Sequence, residues 1–140
     1  VDASLYAHKN HLLQGGLSIA SYRFDDGGTE KTLPGVPSST ANLGWTYKNN
    51  GWKVLIDGRF VGEYFSDNSN TVGIDPYGLA HLEIHKQFYL GSAFVELGCS
   101  VFNLTDTHYF DNIRINAFGG RFYEPAAGRH LLFSLKTVFE

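Results

Sequence analysis

The chain has 140 residues, 43% of them hydrophobic and 18% charged, with a formal charge of −3. That length suits one domain, the balance is too polar for a helical membrane protein, and the mild acidity gives no footprint for nucleic acid. No stretch approaches the roughly 18 apolar residues of a membrane helix, which excludes helical spans only, because a membrane-crossing β-strand needs a single apolar face. Sixteen glycines and 15% aromatics favour β-structure. The absence of methionine reads as a processed or excised piece without a signal peptide. Cys99, the single cysteine, has no partner for an internal disulfide or a zinc site.

In chain order, residues 1–10 fix no period, since Leu5 and Tyr6 are too few, and are read as the end of an earlier strand. From Leu13 to Phe24 the pattern is extended, with Leu13, Leu17 and Ile19 on one face and a shift of phase at Tyr22 and Phe24 that predicts a bulge or an aromatic on the opposite face. Asp25-Asp26-Gly27-Gly28 stops that strand, and Pro34 and Pro37 close the loop. Thr40 to Lys48 alternates, with Leu43, Trp45 and Tyr47 opposite Asn42, Gly44, Thr46 and Lys48, and Asn49-Asn50-Gly51 predicts a tight hairpin. Trp52 to Tyr64 sets Trp52, Val54, Ile56, Gly58, Phe60 and Tyr64 against Lys53, Asp57, Arg59 and Glu63. After a polar loop, Tyr77 to Phe88 sets Ala80, Leu82 and Ile84 against His81, Glu83 and His85, with a turn near Tyr89-Leu90-Gly91. The strand from Ser92 sends Ala93, Val95, Leu97, Cys99 and Val101 one way and Glu96, Gly98 and Ser100 the other. The last strand sends Leu131, Phe133, Leu135 and Phe139 against His130, Ser134 and Lys136.

A period of two held over about a dozen residues is strand. The expected fold is all-β, an antiparallel up-and-down meander of about six or seven strands over residues 1–140. Its connections sort by parity: long ones near 25–38, 65–76 and 105–128, short ones near 49–51, 89–91 and 9–11. Short turns on one side and long loops on the other are the habit of outer-membrane barrels.

His81, Glu83 and His85 invite a metal reading, but on a strand the two histidines stand about 13 Å apart and cannot share an ion. They read instead as a solvated polar row, as do Lys53, Asp57, Arg59 and Glu63. Asp25-Asp26 and Ser66-Asp67-Asn68 read as polar loop tips rather than calcium ligands. No Gly-x-Ser-x-Gly elbow, phosphate loop or Cys-His pair offers a nucleophile or a cradle, so neither an enzyme nor a cofactor is expected. In the last long connection Tyr109, Phe110, Arg114, Arg121, Phe122 and Tyr123 mix aromatic and cationic groups. Tyr109, Arg114, Arg121 and Tyr123 are the candidate ligand contacts, with packing between loops as the competing use of such residues.

Asn103-Leu104-Thr105-Asp106-Thr107-His108-Tyr109 follows the penultimate strand, and Pro125-Ala126-Ala127-Gly128-Arg129 introduces a last strand closing on Phe139. In these marks the chain resembles the C-terminal end of a TonB-dependent outer-membrane receptor, whose motifs match here at Asn103, Leu104, Asp106, Tyr109, Pro125, Gly128, Arg129 and Phe139. Glu140 departs from the resemblance, since the family ends on an aromatic residue. The resemblance implies the outer membrane of a Gram-negative bacterium and uptake of a scarce nutrient, foremost a ferric siderophore. It further implies a 22-stranded barrel around a plug, with the plug, the remaining strands and the TonB-contacting N-terminal part absent from these residues. The implied partners are outer-membrane lipid, the rest of the receptor, the TonB complex through that missing part, and the siderophore. Leu43, Trp45, Trp52, Val54, Ile56, Leu82, Ile84, Val95, Leu97, Leu131, Phe133 and Leu135 are then expected to face lipid. The alternative is a self-contained small β-barrel holding an apolar ligand, lipocalin-like or of the small outer-membrane kind.

Overall fold

The computed structural model describes residues 1–120 and 123–139. Its strands are β1 (Asp2–His8), β2 (His11–Ile19), β3 (Arg23–Asp26), β4 (Thr29–Thr32), β5 (Ser39–Asn49), β6 (Trp52–Val61) and β7 (Tyr64–Phe65). They continue with β8 (Gly73–Ile74), β9 (Tyr77–Leu90), β10 (Ala93–Phe102), β11 (Phe110–Ile113), β12 (Tyr123–Pro125) and β13 (His130–Phe139). Seven of them form one sheet in the order β1-β2-β5-β6-β9-β10-β13, each antiparallel to its neighbour. This is the expected meander. The other six pair as three small hairpins, β3–β4, β7–β8 and β11–β12, one inside each long connection.

Residues 1–10 are strand, as their reading as the end of a strand anticipated: Asp2–His8 pairs with β2 from Asp2↔Gly16 onward. Three other expectations are corrected. The phase shift after Ile19 is neither a bulge nor an inward aromatic: β2 ends at Ile19, and Phe24 belongs to the loop hairpin, paired with Lys31. Similarly, β6 stops at Val61 and Tyr64 opens β7, while Tyr89 and Leu90 remain in β9, so that the turn falls at Gly91 and Ser92. After Ile19 and Val61 the alternation continued across a corner, and alternation alone does not mark where a ladder ends. Parity held: the three long connections lie at one end of the sheet and the three short turns at the other.

Register carries the apolar pattern across the sheet. Leu5, Leu13, Trp45, Ile56, Leu82, Val101 and Leu131 occupy successive paired positions from β1 to β13. A neighbouring row runs Tyr47, Val54, Ile84, Cys99 and Phe133. The twelve residues expected on the apolar side therefore share one face. Phe133 is 73% and Leu135 67% exposed, whereas Val95, paired with Phe88 and Thr137, is 8% exposed. A contiguous exposed apolar face running across seven strands is a feature that water-soluble monomers rarely present. Among the described residues the sheet has two unpaired ends, β1 and β13, so the seven strands do not close into the small self-contained barrel considered as the alternative. Most of the few buried residues, among them Val61, Ile74, Ser66, Asp67 and Asn103, gather toward the end carrying the long loops, while Val95 lies near a short turn.

Two glycines are required by close approach. In the β5–β6 turn Asn50 and Gly51 have φ of 47° and 76°, and a Cβ at Gly51 would fall 2.3 Å from the Gln87 carbonyl oxygen. At Gly98 a Cβ would meet Ser134 Oγ at 2.3 Å and His85 Nδ1 at 2.9 Å. Its absence lets the His85 ring lie against the sheet.

Candidate functional site

The three long loops are joined into one structure at their end of the sheet. Asn70, at φ 57°, accepts from the Thr32 amide through Oδ1 at 2.8 Å and donates from Nδ2 to the Thr32 carbonyl at 2.9 Å. The Gly35 amide donates to the Phe65 carbonyl at 2.7 Å. Asn116, at φ 53°, donates its amide to the Ser66 carbonyl at 3.0 Å, accepts from the Asn68 amide at 2.8 Å and donates Nδ2 to Asn68 Oδ1 at 3.0 Å. Asparagine suits both positions because it tolerates the left-handed region and its side chain reproduces the hydrogen bonding of a peptide.

Asp67 holds the middle loop. Its Oδ1 accepts from the Thr71 and Val72 amides at 3.0 and 2.8 Å, and its Oδ2 from the Thr71 hydroxyl at 2.8 Å. Burial pushes this carboxyl up, but the hydrogen bonds from Val72, Thr71 and Ser69 together bring it below its ordinary value. The other acidic loop tip is also engaged, with Asp25 Oδ1 accepting from the Gly28 amide at 2.8 Å and Asp26 paired with Lys31 at 2.7 Å. Both loop tips thus use their carboxylates to hold local turns.

The motif residues connect β10 to β13. Asn103, 2% exposed and at φ 50°, accepts the Thr107 amide at 2.9 Å on Oδ1 and donates Nδ2 to the Thr107 carbonyl at 2.8 Å. Its own amide donates to His81 Nδ1 at 3.0 Å, and the Leu104 amide to the Ala80 carbonyl at 2.7 Å. Asp106 accepts the Arg129 amide at 2.9 Å, and a Cβ at Gly128 would lie 3.5 Å from the same carboxylate oxygen. The Ala126 amide, next to Pro125, donates to the Tyr109 carbonyl at 3.1 Å. A 27-residue excursion is thereby closed at its base, and β13 enters with Phe102 opposite His130 and Phe139 opposite Ala93.

Of the candidate ligand contacts, Tyr109 stacks on Tyr77 with centroids 5.2 Å apart and Tyr123 on Phe110 at 4.4 Å. Arg114 donates Nε to Glu124 Oε1 at 2.6 Å across the β11–β12 hairpin. Hydrogen bonds from Asn112 and Arg114, with the Arg114 charge, hold the Glu124 carboxyl below its usual range. Arg121 and Phe122 lie outside the described residues. Tyr109 thus belongs to the loop base, and Arg114 and Tyr123 to one exposed hairpin. Phe118, missed by the sequence reading, sits 99% exposed in a short 3-10 turn near the excursion's apex. A run of one phenylalanine before two glycines was its signal. A cleft of about 220 Å³ between the first two long loops, lined by Tyr22, Arg23, Leu33, Glu63 and Tyr64, also had no sequence mark.

The polar face separates the two histidines. His81 accepts from Asn103, whereas His85 lies between Glu83, at 3.3 Å from Nε2, and Glu96, at 3.7 Å from Nδ1. At the short-turn end of the apolar face, Trp45 stacks on His11 and Tyr47, with centroids 5.7 and 6.3 Å apart.

A family model described as TonB dependent receptor-like, beta-barrel matches residues 1–104. Among solved structures, the ferric citrate transporter FecA in its unliganded form aligns with a TM-score of 0.77 at 20% identity, over 92% of this chain and 21% of that one. BauA, the ferric preacinetobactin receptor from Acinetobacter baumannii, aligns with a TM-score of 0.76 at 16% identity, over 96% and 20%. The copper transporter OprC aligns with a TM-score of 0.70 at 22% identity, over 99% and 22%. At these identities the likeness is one of fold, and the chain spans about a fifth of each of these proteins.

Proposed function

Since the chain belongs to the TonB-dependent receptor-like β-barrel family, we propose that residues 1–140 supply the C-terminal strands of an outer-membrane receptor for a scarce nutrient, most directly a ferric siderophore. The observation that carries this reading is the seven-strand meander with one predominantly apolar face and its long loops all at one end. In a bilayer, only a closed sheet satisfies every backbone group, so strands from the remainder of a receptor pair with β1 and β13 and complete the barrel around a plug. The apolar rows face lipid in the outer membrane of a Gram-negative bacterium, the polar face lines the lumen, and TonB engages the receptor outside these residues.

With the short turns in the periplasm, the joined loops stand at the mouth outside the cell. FecA is a ferric citrate transporter, BauA a ferric preacinetobactin receptor and OprC a copper transporter, which supports a metal-bearing cargo. Oxygen-rich iron chelates present carboxylate or catecholate edges that an arginine meets with charge-assisted hydrogen bonds. Arg114, already held in the β11–β12 hairpin by Glu124, and Arg121 are the cations assigned to that contact, with Tyr109 and Tyr123 beside the apolar body of the ligand. The test is uptake by the complete receptor carrying Arg114→Ala with Arg121→Ala at unchanged outer-membrane abundance. Loss of siderophore affinity and uptake is expected; unaltered uptake would make this loop a structural cover.

A further inference from the structure

On the apolar face near the short turns lies a groove of about 570 Å³, lined by Trp52, Ile84, Leu97, Cys99, Phe133 and Leu135 with Lys86 among them. Lys86 pairs in register with Trp52 on one side and Leu97 on the other, which puts its side chain on the apolar face. Among the described strand residues it is the one Asp, Glu, Lys or Arg that the registers place there. Its Nζ stands 4.8 Å from the Trp52 ring centroid and donates to the Asn50 carbonyl at 2.9 Å. A lone ammonium surrounded by apolar side chains is stable at a bilayer boundary, where its stem lies along the oil and its head reaches the polar layer. Asn50 belongs to the adjacent turn, so Lys86 is at that boundary.

An ammonium has three N–H donors, and the Asn50 carbonyl takes one. What complements the rest is an anionic oxygen group, and what complements the groove beneath is a hydrocarbon chain. We infer that this groove binds one anionic phospholipid, its phosphate on Lys86 and Trp52 at the mouth and one acyl chain along Ile84, Leu97 and Phe133. Free phosphate lacks the chain to fill the groove, and a zwitterionic lipid brings a cation that opposes Lys86. The inference rests on the outer-membrane reading, which places this face in the lipid leaflet beside the short turns.

The test is native mass spectrometry of the complete receptor in non-ionic detergent, titrated with phosphatidylglycerol, on protein first shown to be a heat-modifiable, protease-resistant barrel. Lys86→Gln is expected to lower bound phosphatidylglycerol roughly tenfold, the equivalent of losing one charge-assisted hydrogen bond. Lys86→Arg keeps it. Cys99→Phe, which fills the groove with the charge intact, lowers it as well. Phosphatidylcholine binds wild type and Lys86→Gln alike, and excess inorganic phosphate does not displace the lipid. Phosphatidylglycerol occupancy in Lys86→Gln within twofold of wild type, or displacement by free phosphate, overturns the inference while leaving the barrel reading intact. A wild-type receptor that forms no such barrel overturns both.

Discussion

Ile56 and Thr46 lie on adjacent strands but on opposite faces, because Ile56 pairs with Trp45 and Thr46 with Leu55. Ile56→Arg in the receptor should cost about 2 to 4 kcal/mol if it faces the bilayer midplane, and Thr46→Arg much less. Denaturant unfolding from lipid vesicles measures both, and equal losses would show that the faces are misassigned. Asp67 gives a pH dependence of determinate sign. Its carboxyl titrates below the ordinary 3.8 in the folded loop, so its stabilisation is complete above that value and is lost as pH falls through the lower folded one. Amide protection factors at Thr71 and Val72 should therefore fall in that acid window in the wild type. In Asp67→Asn they should start lower and stay flat, and parallel curves for the two proteins would remove Asp67 as the cause.

The connection between β10 and β13 depends unequally on its two polar residues. Asn103→Ala strands the Thr107 amide and carbonyl in a buried site and puts a methyl side chain at φ 50°, a loss of about 1 to 3 kcal/mol from the hydrogen bonding alone. Asp106→Ala, at φ 55°, removes a bond to the exposed Arg129 amide and an exposed ion pair of 3.7 Å with its guanidinium, and leaves no buried group stranded, so it should cost less. Unfolding midpoints of the two receptor variants decide the order, and a reversed order would shift the anchoring role to Asp106. The long strands were legible in the sequence because one wet face and one oily face force a period of two from Trp52 through Phe60. The hairpins inside the loops were not, because four-residue strands such as Arg23–Asp26, with Phe24 its single apolar side chain, are too short to show an alternation. Asn103 was visible only as a motif letter, since its work is defined by His81, Thr107 and Ala127, which come to it from across the fold. The pairing of Arg114 with Glu124 was not legible, because that partner stands ten positions away across an unforeseen hairpin.

For the molecule as a whole, the decisive feature is a sheet with both ends open. Each unpaired edge group in lipid costs several kcal/mol, so the 140-residue chain refolded alone into detergent should associate through its edges. Size-exclusion chromatography with light scattering should show oligomers, and a stable monomer would mean that the edges are satisfied in another way. The bonds among the loops have a further bearing on surface recognition. Asn70 and Asn116 fasten three stretches, far apart in sequence, into one relief. An antibody raised to the native exterior would meet a discontinuous epitope assembled from all three, whereas a peptide immunogen copied from any one of them would lack the partners that give it shape.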